Sequence, residues 1–423
     1  MTRGKRKLLV ILGAGSSLSC GLPSTATLDA LMKTWSPQWS DPPVVPAGGI
    51  GRGVFNDLWD IVAAYREENP QRHLGLPLNY ERVLGEMVAL ASWMTPSPFG
   101  NALRRAVRDG APDAGFTWPQ DQEKPFFYRL WIIDQLGFLV RQLAAHLRQC
   151  CVAVDETSTA YADYGAILQR LAEEFDLGVY NLNHDNLAIR ALPQAFTGFR
   201  EGRFDPLAVA TRTAWDFIYH LHGSVHFSLS GTSLRPNMVW RDDLTGPFED
   251  TQPLNPSMAA EFRPVIPTTL VAGGFKLDQI LADPAQAFYA ALVRHAQEAD
   301  AFLIAGYGFG DVHVNRALLN RYAADPNRPR GRPQTTVITK TAAPAARIGD
   351  REGHEFFAWE MTHTLSTRFN TMGATPAPTL TIEELIDRGV CESDPFGRAR
   401  VWHGGFIEAK ARLDQIVRSL QQP

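Results

Sequence analysis

Leu8-Leu9-Val10-Ile11-Leu12-Gly13-Ala14-Gly15-Ser16-Ser17, close to the N-terminus, decides the fold class. Its five consecutive apolar residues, two of them β-branched, predict a strand buried on both faces, as in a parallel sheet covered by helices. Gly13 and Gly15 permit a tight turn and a close approach of backbone to ligand. Ser16 and Ser17 can cap a following helix, whose free N–H groups and positive end favour a phosphate. The stretch predicts a phosphate-binding turn at the carboxyl end of a central strand. An ordinary strand-to-helix turn without a ligand satisfies the same pattern. The hydride-transfer fingerprint Gly-x-Gly-x-x-Gly does not fit, because Leu18 stands where its third glycine belongs. The acidic residue expected about 20 positions on, at the end of a second strand, would fall in Thr25 to Trp35, which reads as a helix capped by Ser24.

At 423 residues the chain suits one large or two medium domains. A formal charge of −4 provides no overall basic field for nucleic acid. The local basic spots, Arg3 to Lys7, Arg104-Arg105 and Arg328 to Arg332, read as solvated tail or loops. No apolar run reaches the roughly 20 residues of a membrane span. The apolar run after the charged start is too short for a secretory signal. Cys20, Cys150, Cys151 and Cys391 form no Cys-x-x-Cys pair, so neither a zinc site nor a disulfide framework is indicated. A cytoplasmic protein is expected.

Outward from the opening stretch, Ser36 to Gly53 is a Pro/Gly-rich loop, a lid or an insertion joint. Helical periodicity follows: Phe55, Leu58, Trp59, Ile61 and Val62 make one stripe, and Tyr80 to Trp93, Phe126 to Cys151 and Tyr161 to Phe175 make three more. These aromatic and Met stripes read as core. Strand patterns then return at Asp176 to Asn183, Asp216 to His222, Met238 to Trp240, Asp300 to Gly306 and Thr335 to Thr339. Helices fit at Asp278 to Leu281, Gln286 to Glu298 and Asn315 to Tyr322. The alternation predicts an α/β fold with a Rossmann-like, mostly parallel sheet and a large helical insertion. Residues 1–35 and 161–345 form the core and 36–160 the insertion. Residues 346–423 form a helical tail packed on the core or on partner subunits, with helices at Ile382 to Arg388 and Ile407 to Leu420 and a candidate contact at Phe356 to Trp359.

Three more stretches place polar residues directly after buried strands, where open α/β sheets bind ligands. They are Asn181-Leu182-Asn183-His184-Asp185-Asn186, His220-Leu221-His222-Gly223-Ser224-Val225-His226, and Gly306-Tyr307-Gly308-Phe309-Gly310-Asp311-Val312-His313-Val314-Asn315. Each also has a plain reading as a loop or cap. The even spacing of His220, His222 and His226 raises a metal site, but no carboxylate or thiolate lies between Tyr219 and Ser230, so no metal is expected.

Together the four stretches resemble the SIR2, or sirtuin-like, family. Gly13 to Ser17 followed by Gly21-Leu22-Pro23-Ser24 is similar to its first nucleotide-binding motif. Leu182-Asn183-His184-Asp185 resembles its Asn-x-Asp motif, and His222-Gly223-Ser224 its His-Gly motif. Gly306 to Asn315 resembles the Gly-Tyr-Ser-Phe-x-Asp-x-His-x-Asn ending of bacterial SIR2-like domains. The match covers residues 7 to 340 in pieces. Deacylating sirtuins also carry a four-cysteine zinc module after the Asn-Asp motif, whereas only Cys391 follows Cys151 here. The resemblance is therefore to SIR2-like NAD-consuming effectors of bacterial anti-phage defence.

That resemblance implies an NAD hydrolase releasing nicotinamide and ADP-ribose. Gly13, Ala14, Gly15, Ser16 and Ser17, with Pro23 and Ser24, would hold NAD, the diphosphate lying on backbone N–H groups. Asn183 would hold a water or a ribose hydroxyl. Asp185 would meet the carboxamide or the developing cation, and His222 would be the base or the ribose partner. Gly306, Gly308, Asp311 and Asn315 would line the adenosine side. The alternative is a domain that senses NAD or ADP-ribose without turnover. Control by homo-oligomerisation, or by a separate partner such as a HerA-type ATPase or an Argonaute-type protein, is implied by analogy alone.

Overall fold

Leu8 to Leu12 are buried almost completely, and successive side chains enter different cores. Leu8, Val10 and Leu12 join one apolar cluster, and Leu9 and Ile11 join another. Such alternation requires covering layers on both faces of the sheet. The computed structural model describes residues 4–39, 53–69, 78–93, 125–232, 235–251, 268–273, 276–280, 282–322, 331–340, 360–366, 392–393 and 398–422.

The first strand, β1 (Arg6–Leu12), is followed by α1 (Thr25–Trp35), α2 (Val54–Glu68), α3 (Tyr80–Trp93), α4 (Pro125–Val152) and α5 (Thr159–Glu174). Then come β2 (Phe175–Asn181), α6 (Leu187–Ala191), β3 (Phe199–Arg200), β4 (Arg203–Phe204), α7 (Pro206–Thr211) and β5 (Asp216–His220). The antiparallel pair β6 (Phe227–Thr232) and β7 (Arg235–Trp240) precedes α8 (Lys276–Gln279), α9 (Ala285–Glu298), β8 (Ala301–Ala305), α10 (Val312–Tyr322) and β9 (Gln334–Ile338). Strands β10 (Glu392–Ser393) and β11 (Ala399–Trp402) and helix α11 (Leu413–Gln421) close the chain.

The main sheet runs β10-β11-β9-β8-β1-β2-β5. All its pairings are parallel except that of β10. Strand order reverses at β1, which lies between β2 and β8, so the crevice for a ligand opens at their carboxyl ends. Helices α1 to α5 cover the Leu8 face, through Met32, Phe55, Leu84, Leu139 and Leu168 among others. Helices α9 and α10 cover the Leu9 face with Phe288, Leu292, Val314 and Leu318. A smaller four-stranded antiparallel sheet, β3-β4-β7-β6, contributes Phe199 and Phe227 to that second cluster. Among the described residues no helix is long and apolar enough to cross a membrane.

Two local expectations change. Ser16 and Ser17 cap no α-helix. Their hydroxyls donate back to the carbonyls of Gly13 (2.8 Å) and Ala14 (3.3 Å), and the chain makes two short 3-10 turns, Ala14–Ser16 and Leu18–Cys20. Gly21, at φ 85°, ends them, and Ser24 then caps α1 by accepting from Thr27 N–H at 3.2 Å. The tail, expected to be helical, gives β11 to the main sheet beside β9, while Ile416, Val417 and Leu420 of α11 enter the first core. Residues 40–52, Arg104-Arg105, Phe356 to Trp359, Ile382 to Arg388 and Cys391 lie outside the described residues.

Gly306 adopts φ +63°, and a Cβ there would stand 2.1 Å from Ser16 N. Gly308 has nothing within 4 Å of such a Cβ. Gly306→Ala is expected to destabilise by about 1–3 kcal/mol through overpacking and strain. Gly308→Ala should unfold like wild type. Thermal melts of the two variants compare them.

Candidate functional site

The turns after β1, β2, β5 and β8 meet because the sheet pairs their strands in parallel register: Leu12 stands beside Asn181 and Ala305, and Asn181 beside His220. Gly13 N–H donates to Ala305 O at 2.9 Å, and Gly15 N–H to Gly306 O at 3.0 Å. Ser16 and Ser17 N–H donate to Gly13 and Ala14 carbonyls at 2.9 and 3.3 Å. The N–H groups of Gly13, Gly15 and Ser16 are thus committed within the protein. They build the turn and are not left over as the expected anion cradle.

Asn183 ties the second turn to the first. Its Nδ2 donates to Gly13 O at 2.9 Å and lies 3.3 Å from Ser17 Oγ. A carbonyl only accepts, so the amide orientation is fixed and Oδ1 is left as an acceptor. Asp185 is buried. Its Oδ1 accepts from Leu187 N–H at 3.0 Å, while Oδ2 is buried with no hydrogen-bond partner among the described residues. Burial pushes this carboxyl above its ordinary range, against the hydrogen bonds it receives. The carbonyl of His184, between them, takes the N–H of Val225 at 2.8 Å, joining this turn to the next.

Gly223 sits at φ +90°, where a Cβ would meet Thr269 O at 2.2 Å. This glycine lets Val271 N–H reach His222 O at 2.8 Å. His222 is buried, with its Nε2 3.0 Å from His313 Nε2 and 3.9 Å from Asp311 Oδ1. Burial holds it well below its ordinary pKa, although Asp311 pulls the other way. Lys276 binds Asp311 Oδ1 at 2.8 Å and Glu81 Oε2 at 3.0 Å. Burial alone would raise the Asp311 carboxyl, but Lys276, with His222 and His313, brings it below the usual range. Lys276 is itself raised, its two carboxylates outweighing burial. Through Glu81 helix α3 reaches the site.

The evenly spaced histidines go to three different partners. His220 Nδ1 lies 3.3 Å from Asn183 O, His222 faces His313, and His226 Nδ1 lies 2.7 Å from Arg241 O with its ring stacked on Trp240. Among the described residues one group could converge on an ion: His222, Asp311 and His313, with ligand atoms within 4.8 Å of one another. Lys276 already sets an ammonium against that carboxylate.

A cavity of about 280 Å³ opens at this edge. Gly13, Ala14, Ser17, Pro23, Asn183, Asp185, His222, Gly306, Gly308 and Asp311 line it, as do Tyr80, Glu81, His184 and Lys276. A neighbouring cavity of about 390 Å³ shares Gly306, Tyr307 and Gly308 and is bounded by Gly15. Ser16, Ser24 and Asn315 line neither. Ser16 is buried inside the turn, and Ser24 caps α1. Asn315 donates to Phe309 O at 2.7 Å and accepts from Tyr307 OH at 2.9 Å, so it holds the fourth turn in shape. Sequence reading missed Lys276 and Glu81. Each looks like a routine charge on a short or amphipathic helix, and only their shared carboxylate–ammonium geometry marks them.

Residues 178–352 match a family model described as the SIR2-like domain. Over that span the chain is similar to a SIR2-like domain. The matched span holds Asn183, Asp185, His222 and Asp311, and β1 with its glycine turn joins it by pairing with β2 and β8. Among curated proteins none is similar in sequence. Solved structures similar to this chain include a Sir2 homologue–NAD complex, at 14% identity and TM-score 0.34, covering 85% of this chain and 91% of that one. Another is a mutant Sir2 homologue with 2′-O-acetyl ADP ribose, at 13% and 0.35, covering 99% and 94%.

Two expectations follow from the buried charges. Burial lowers His184, His295 and His313 to about 4 and His220 to about 3. Their neutral forms therefore stabilise the fold fully above their unfolded value, near 6.5, and that stability is lost as pH falls from there towards 4. Thermal melts should show Tm falling steadily from pH 7 to 4.5. Lys276→Met leaves Asp311 and Glu81 unpaired and should lose about 3 kcal/mol at pH 7, the low end for a broken buried pair because Glu81 is 30% exposed. Without Lys276, burial raises the unpaired Asp311 and Glu81 carboxyls, which then take up protons at a higher pH than in the wild type, so the deficit should shrink as the pH is lowered; urea titrations at pH 7 and 4.5 measure it.

Proposed function

We propose that the protein is an NAD+ glycohydrolase that cleaves the nicotinamide–ribose bond to give nicotinamide and ADP-ribose. One observation carries the reading: Asn183 and Asp185 from the turn after β2 and His222 from the turn after β5 reach the wall of one cavity, which shares the Gly306–Gly308 turn with a second. Two joined lobes suit a two-ended dinucleotide. The SIR2-like domain match and the NAD and ADP-ribose complexes among similar structures agree with this substrate.

The chemistry follows from the residues. Bond breaking sends the glycosidic electron pair to the pyridinium nitrogen, so nicotinamide leaves neutral and positive charge builds on the ribose. Asp185 accepts from Leu187 N–H at Oδ1, but its buried Oδ2 meets no described partner, so a cation that develops beside it stabilises the carboxylate beyond what the resting protein supplies, which is differential binding of the transition state. Asn183 Oδ1 accepts a hydrogen bond from the water that adds to the ribose carbon. His222, neutral at pH 7 because it is buried, takes the proton. The first glycine turn then acts by its shape and by the cavity-lining backbone of Gly13 and Ala14, a smaller part than an N–H cradle would play.

A destructive hydrolase needs restraint. We place this protein among anti-phage effectors held inactive until self-assembly or a separate partner engages them. Purified protein, alone and with candidate activators, should consume NAD. Asn183→Ala and His222→Ala should each lower the rate by 100-fold or more, the order of magnitude of a positioned base. Tight ADP-ribose binding with no NAD loss under any condition would instead identify a sensor.

A further inference from the structure

His222 has two ring nitrogens, and only the one holding a lone pair can take a proton. Its Nε2 lies 3.0 Å from His313 Nε2, so one of these two atoms carries the hydrogen and the other accepts it. Asp311 lies near both rings, within 4.8 Å of a nitrogen of each, and its closer approach is to His222. Its Oδ1 lies 3.9 Å from His222 Nε2, and Lys276, anchored on Glu81, keeps that carboxylate charged. A negative charge at that distance favours an N–H on His222 Nε2 over a lone pair. His222 Nδ1 bonds to no described residue and is left as the basic atom.

We propose that His313 is a positioning residue: its Nε2 accepts from His222 Nε2–H and so holds His222 in the tautomer whose Nδ1 is free to act as base. With the hydrogen reversed, His222 would carry its proton on Nδ1 and have no base to offer there. When Nδ1 takes a proton from water or a ribose hydroxyl, the positive ring keeps its hydrogen bond to His313 and its attraction to Asp311. No further proton moves. The groups facing this pair are Asp311, Lys276 and His184, with Tyr289 edge-on to His313 at 5.8 Å. The logic is that of a partner that fixes an imidazole through its second nitrogen, with a neutral imidazole in the orienting place.

The proposal deepens the hydrolase reading and rests on it only for its activity arm. The first arm needs no turnover. Protein labelled with 15N in its histidines is compared with a His222→Ala sample to assign that ring. The expected spectrum shows His222 protonated at Nε2 and bare at Nδ1. His313→Gln, whose Oε1 can accept at the same place, should keep that state, and His313→Leu should lose it. A His222 protonated at Nδ1 in the wild type overturns the proposal, as does a stoichiometric divalent metal in the purified protein, which would consume both lone pairs. In the second arm, His313→Leu should lower kcat for NAD loss by about 10–100-fold, the usual effect of removing such an orienting partner, with KM within about twofold, and should alter the kcat–pH profile. His313→Gln should restore most of the rate. Equal loss in both variants overturns the positioning role. The expected tautomer in a wild type that never consumes NAD supports the proposal and overturns the hydrolase reading instead.

Discussion

The backbones of Gly13, Gly15 and Gly306 lie so close that a methyl group on any one of them would stand within 3 Å of main-chain atoms of another turn. This contact exists because β1 and β8 are neighbours in exact register, ending together at Leu12 and Ala305. The turns that follow are pressed against each other and exchange hydrogen bonds from Gly13 to Ala305 and from Gly15 to Gly306. Asn183 then needs only one amide to bind the second turn to the first. Gly13 and Ala14 line one cavity and Gly15 the other, and both are lined by the Gly306–Gly308 segment.

Around that seam, burial does the electrostatic work. His184 and His313 are lowered to about 4 and His220 to about 3, and Asp185 is raised, chiefly because water has been excluded. Charge survives where a partner is supplied: Lys276 between Glu81 and Asp311, and Arg148 with Asp250 deeper in the fold. The site thus contains neutral imidazoles beside carboxylates held by Lys276. Helix α3 takes part because Glu81 is the second anchor of Lys276, so this helix reaches the cavity as well as the core.

Much of the fold was legible because periodicity reports burial directly. The opening run of β1, the stripes of α3 and α5 and the apolar run of β8 each have one environment along their length. The error at Ser16 and Ser17 has a definite source. A hydroxyl after a glycine turn can accept from a helix ahead or donate to a carbonyl behind, and the chain alone does not choose. Asn315 and Ser24 were read as ligand contacts because they lie in motifs, yet one holds a turn and the other caps a helix. Motif membership places a residue near a site without saying which way its side chain faces.

The sequence by itself determined β1, β2, β5, β8 and β9 and the four polar turns, because alternation, glycine placement and apolar runs are local properties of the chain. It also determined which residue types stand after each strand, and so the chemistry available there. Tertiary structure alone decided which of those residues meet. His222 and His313 are 91 positions apart, and Lys276 joins Glu81 to Asp311 across helices that share no pattern. Whether a buried histidine is a core residue, a base or the partner of a base depends on distances of about 3 Å, the range of a hydrogen bond, and sheet register sets those distances once the chain has folded.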